Sequence, residues 1–193
     1  MSKTPLFDAA RELRQALDRL MVSSSNNADS ALRRFVSLLE PGTVLGDLSA
    51  EILPTVDFAT WYAVACATMG ASVGSGELDF PLETRERVAM ELALLRHVAS
   101  DPQGIRGFGL MFFRGNWDER ARAFGLEVAA PFFNEWLALV TPAIEAEGTE
   151  PRPTKRQRHQ TTRCAWALVP TSIPTASKSC EHCSRAQRRP LTM

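Results

Sequence analysis

From Leu6 to Ile144 bulky apolar residues recur every three or four positions and almost nowhere alternate with polar ones at every second position. A chain patterned in this way buries its side chains by packing helix against helix rather than by forming sheets. Leu6, Ala10, Leu13, Leu17, Leu20 and Met21 mark one face of a first helix, with Arg11, Glu12, Arg14, Asp18 and Arg19 on the other. Thr4-Pro5 supplies a capping hydroxyl followed by a proline at the first helical position, and the Ser23–Asn27 turn cluster ends the helix. Leu32, Phe35, Val36 and Leu39 make a shorter second helix that stops at Pro41-Gly42, and Ser49 is placed to cap one turn through Ile52.

Asp57 is placed to cap a helix through Phe58, Trp61, Tyr62, Ala65, Cys66 and Met69, which is apolar or small on nearly every side and so is expected in the middle of a bundle. Asp79-Phe80-Pro81 opens the next helix, with Val88, Leu92, Leu95 and Ala99 on one face. Between Gly104 and Gly115 glycines interleave with bulky residues, and helix and strand both fit. Asn116 caps a helix from Trp117 that breaks near Gly125, and a last helix runs from Pro131 through Phe132, Phe133, Trp136, Leu137, Val140 and Ile144. The fold class is therefore all-α, a compact helical bundle of about six to seven helices over residues 1–147. A domain of that length buries roughly two thirds of its unfolded surface and needs neither metal nor disulfide to fold.

After Glu150 the periodicity stops. The formal net charge of zero hides two unequal parts: residues 1–150 carry 13 Lys+Arg against 21 Asp+Glu, a net of −8, and residues 151–193 carry 9 against 1, a net of +8. Residues 151–193 hold no glycine and five of the twelve prolines, with one short apolar run, Ala165 to Val169. Low hydrophobicity with high net charge does not offset the entropy of ordering, so residues 148–193 are expected to form a disordered basic tail.

Several function classes lose support at this point. No basic stretch leads into an apolar run and a small-residue cleavage site, so a cytoplasmic location is expected. The longest uncharged run, Phe58 to Gly76, is 19 residues, but its threonines, serines and glycines dilute it below what insertion in a membrane requires. Cysteines at 66, 164, 180 and 183 are too few and too uneven for a disulfide scaffold, and Cys66 reads as a small core residue. His97 is the single histidine before residue 151. Glu83, Glu86 and Glu91 with Arg85, Arg87 and Arg96 read as ion pairs on a solvated helix face rather than as acid–base machinery. The glycines from Gly104 to Gly109 lack the spacing and the preceding strand of a phosphate loop.

Three arrangements carry chemistry. In the tail, His159 and Cys164 followed by the Cys180-x2-Cys183 pair have the ligand types and loop length of a small zinc module, although no glycine follows either pair to let it turn tightly. Arg152, Lys155, Arg156, Arg158 and Arg163, with Trp166 nearby, could neutralise phosphates and stack on a base; the same charges equally suit a solvated tail. In the helical domain, Ile105, Phe108, Met111, Phe112 and Trp117 suggest an exposed apolar patch that docks a protein partner, because four bulky residues in a row, Leu110 to Phe113, cannot all face one core. A binding or regulatory module is thus expected, with a nucleic-acid-associated protein or an enzyme assembled from scattered Glu, Arg and His97 as alternatives. Limited proteolysis read by intact mass, with and without a chelator, should remove the tail and leave a resistant fragment ending near residue 150. Chelator-sensitive protection of residues 151–193 together with stoichiometric zinc would instead make the tail a metal-folded domain.

Overall fold

The chain divides into two units, Met1–Glu150 and Pro151–Met193. The computed structural model describes residues 5–149, all within the first unit; they are predominantly helical, and no strand occurs among the described residues. Helix α1 is Pro5–Val22, α2 Ala28–Ser37, α3 Val44–Ile52, α4 Phe58–Ala67, α5 Thr84–Ser100, α6 Gly104–Phe112, α7 Trp117–Phe124 and α8 Ala130–Thr149. A π-helical turn, Gly125–Ala129, joins α7 to α8 without a break, so the described residues form seven separate helical rods.

The continuity of the last rod differs from the break expected near Gly125. Gly125 keeps helical dihedrals, φ −60° and ψ −45°, and the widened turn leads directly to Pro131. Proline lacks an N–H for the regular ladder, and a π turn absorbs such an irregularity without ending the helix. Trp117 to Glu147 is long and apolar enough to cross a membrane by length and composition, yet Phe124, Val128, Phe132, Phe133, Trp136 and Val140 along it are fully buried against the other helices. Leu13, Leu17 and Leu20 of α1 and Leu32, Phe35 and Val36 of α2 supply the facing wall.

Trp136 also ties α8 to α3. Its Nε1 donates to Ser49 Oγ at 2.9 Å, and that hydroxyl in turn donates to the Leu45 carbonyl at 2.7 Å. Ser49 is therefore a buried connector inside α3 rather than a cap; Thr43 caps this helix, its Oγ1 accepting from Gly46 N.

Two further expectations are corrected. Helix α5 starts at Thr84, with the Glu83 carboxylate accepting from Glu86 N at 2.7 Å, and not at Asp79. The Asp79-Phe80 segment is held against α4 instead, by Trp61 Nε1 donating to the Asp79 carbonyl and by stacking of Trp61 on Phe80 at 5.0 Å. Helix α4, capped by Asp57 as its sequence implies, lies at the periphery and not in the middle of the bundle; Ala65 is its one buried residue. Of its half-buried large rings, Phe58 and Tyr62 turn toward His97 of α5 and Trp61 toward Phe80, while the outward positions, exposed Val64 apart, are alanine and threonine.

Replacing Trp136 by Phe removes the one indole donor to Ser49 and should lower unfolding stability by about 1–3 kcal/mol. Denaturant titration of the full chain measures this; an unchanged midpoint would mean the bond contributes nothing.

Candidate functional site

Helix α6 begins where a glycine and a distant carboxylate allow it to. Gly104 has φ +53°, a left-handed conformation suited to glycine, and the Asp29 carboxylate of α2 occupies the space a side chain would need. That carboxylate accepts from Ile105 N at 2.8 Å and so satisfies the first turn of α6.

The rotation of α6 then decides what is offered to solvent. Ile105, Phe108 and Phe112, three and four residues apart, fall on one face and are 3%, 2% and 6% exposed. Phe108 meets Phe112 at 4.7 Å, Phe113 at 5.7 Å and Phe124 of α7 at 5.4 Å. The expected docking patch is thereby divided: Ile105, Phe108 and Phe112 belong to the core, Met111 is half-buried, and Trp117 is exposed. The run Leu110–Phe113 splits in the same way, with Phe112 and Phe113 inside and Leu110 outside. Arg106 and Leu110, one turn apart, share the outer face.

A loop completes this surface. Gly74 N donates to the Leu110 carbonyl and Gly76 N to the Met111 carbonyl, both at 3.0 Å. The pairing brings exposed Val73 alongside Leu110, and it requires glycine at 74, where φ is +69° and a side chain would strike the Phe113 backbone.

Between the end of α5 and α6 lies a cavity of about 580 Å³, lined by Tyr62, His97, Gln103, Gly107, Leu110 and Met111 among others. Its size is that of a small-ligand or side-chain pocket, and its walls are mainly apolar with a few convergent polar groups. The His97 ring lies 4.6 Å from Tyr62 and 5.3 Å from Phe58. Burial, with the neighbouring Cys66 thiol as second cause, pushes the Tyr62 phenol up to about 12, so it stays protonated at neutral pH, as an ordinary phenol does, and into more alkaline solution. Next to Leu110 on the outer face of α6, the Arg106 guanidinium carbon stands 5.0 Å from the Trp117 ring centroid, and that of Arg120 4.9 Å, within cation–π range.

A separate polar group lies where α5 packs on α8. Glu91 is 2% exposed, and its Oε2 is buried without a hydrogen-bond partner. Arg87 pairs with Glu135 of α8 at 2.8 Å, not with Glu83, so the solvated-face reading of these charges fails for Glu91 and Arg87. Burial first, and the nearby Glu135 charge second, push the Glu91 carboxyl up to about 8. The sequence does hold a signal for it: Glu91 stands three residues after Val88 and four before Leu95, inside the apolar stripe.

Among the described residues no group of three or more His, Cys, Asp or Glu is placed to hold a metal ion. The tail candidates, His159, Cys164, Cys180 and Cys183 for zinc and Arg152, Lys155, Arg156, Arg158 and Arg163 for nucleic acid, lie outside the described residues. In comparisons with known proteins the chain matches no family model, no curated protein and no solved structure.

Glu91 makes a pH prediction with a definite sign. Its folded value of about 8 stands above its ordinary 4.5, so the folded protein holds a proton that the unfolded chain has lost across that interval. Stability from this group is therefore full below about pH 4.5, falls with a slope on the order of 1.4 kcal/mol per pH unit, and levels off above about pH 8. Thermal melting of Glu91→Gln should lack that slope and exceed wild type at pH 7.5; parallel pH profiles for the two proteins would refute the assignment.

Proposed function

We propose that this chain is a helical binding module that docks a protein partner on the outer face of α6, with one apolar side chain of the partner seated in the α5–α6 cavity. The observation that carries the reading is the cavity of about 580 Å³ with Leu110 and Met111 in its lining, Leu110 being exposed as well. A concave apolar pocket bordered by exposed apolar residues takes an anchoring side chain, and such anchors carry most of an interface's energy. Met111 and Trp117 are the members of the sequence-derived patch that this surface retains. Ile105, Phe108 and Phe112 act behind it by fixing the rotation of α6.

The same cavity supports a second reading, an enzyme built on His97, because it joins that imidazole to Tyr62. The reading has less support than docking because, among the described residues, no hydrogen bond joins the His97 imidazole to Tyr62 or to Asp101 of the same lining; the rings of His97 and Tyr62 only pack, at 4.6 Å.

Substituting Leu110 and Met111 together by Asp should leave helicity by circular dichroism unchanged and weaken partner binding by at least about thirtyfold, the loss expected for a hot-spot anchor of about 2 kcal/mol. Equal partner recovery by this variant and wild type from the native cell extract would overturn the proposal. Phe108→Ala should act differently, lowering stability by about 3–5 kcal/mol through the cavity it leaves in the core.

A further inference from the structure

We infer that the partner segment received by this face is acidic as well as apolar, and that Arg106 and Arg120 take its carboxylates beside Trp117. The inference rests on the docking reading above and names the chemistry of the occupant.

Three observations converge. First, the α6–α7 corner is a basic island in a unit of net charge −8: Arg106, Arg114, Arg120 and Arg122 stand within 17 residues that hold two acids, Asp118 and Glu119. Both acids are already engaged by backbone donors, Asp118 Oδ1 with Ser25 N and Glu119 Oε2 with Asn116 N, each at 2.8 Å. Second, Arg106, Arg114 and Arg120 make no ion pair among the described residues, a state they share with Arg19, Arg33, Arg85 and Arg122, but only at this corner do two such guanidiniums meet at one ring. Third, Arg106 and Arg120 approach one indole, Trp117, at 5.0 and 4.9 Å, which leaves the two guanidiniums within about a Debye length of each other, about 10 Å at 0.1 M salt. Like charges held this close repel, and Arg120 Nε is buried with no acceptor. A carboxylate placed between them relieves the repulsion, and a planar guanidinium is suited to bind it through paired N–H groups.

The geometry also sets the spacing of the segment. Arg106 and Leu110 are four residues apart on one helix, about 6 Å along the axis, close to the reach of one or two residues of an extended peptide. The occupant thus carries Asp or Glu one or two positions from the apolar anchor. A nucleic acid fits less well: Leu110, Met111 and Val73 offer apolar side chains where a phosphate backbone would run.

The test is a random-peptide library displayed on phage and selected on the full-length chain, with counter-selection on the Arg106→Gln/Arg120→Gln form. Peptides kept by wild type and lost by the variant should be rich in Asp and Glu within two positions of Leu, Ile, Met or Phe. Synthetic copies should bind about tenfold more weakly for each arginine replaced, and likewise when their acids become Asn or Gln. Arg106→Gln alone, at an exposed position, gives the same reading should the double variant fold poorly, and Arg106→Lys should restore part of the loss. Selected peptides that lack acids yet are lost on the Leu110→Asp/Met111→Asp form would overturn the acidic occupant and leave the docking surface standing. Peptides indifferent to both sets of substitutions would overturn both. Displacement of acidic peptides by a single-stranded oligonucleotide, with Arg106 and Arg120 needed for it, would replace the carboxylate by phosphate and overturn the inference.

Discussion

The seating of Phe108 among Phe112, Phe113 and Phe124 is the contact on which the exposed features of this protein depend. A nine-residue helix has little stability of its own, and its rotation is set by the side it buries. Once Phe108 points inward toward α7, Ile105 and Phe112 follow it by helical geometry. Arg106 and Leu110 are then turned outward, and Met111 comes to the cavity edge. The glycines reinforce that placement: Gly109 lets α6 approach the Arg120 stem of α7, and Gly74 lets the preceding loop bond to the end of α6.

Buried and half-buried polar groups are few, and several join helices distant in sequence. Trp136 and Ser49 couple α8 to α3, Arg87 and Glu135 couple α5 to α8, and the Asp29 carboxylate of α2 starts α6. Glu91 stands apart because its burial has no compensating hydrogen bond at Oε2, so it is held by packing in the form burial favours, the protonated one. A carboxyl kept in an α5–α8 seam at such a cost links the stability of the bundle to pH without entering the docking face.

Much of the fold was legible along the chain because helical periodicity is a local property. The apolar faces of α1, α2 and α8 read directly, as did the caps at Asp57 and Asn116, the second of which closes a full capping box with Glu119. What failed were inferences that require knowing a neighbour. Helix α4 reads as a central helix by composition, but three small outward residues, Ala59, Ala63 and Ala67, expose so little that the periphery accommodates it. Asp79 and Phe80 read as a helix start, but contact with Trp61, 18 residues away, holds them outside the helix.

The candidate site divides along the same line. By itself the sequence determined an all-helical domain, the bulky run near residues 105–117 that had to be shared between core and surface, and the imbalance of charge on either side of residue 150. Tertiary structure decided which members of that run were turned to solvent, placed His97 beside Tyr62 around a cavity, and brought Arg106 and Arg120 to one indole. The reason is physical: spacing along a helix fixes which residues share a face, whereas the direction each face points is fixed only by the helices packed against it.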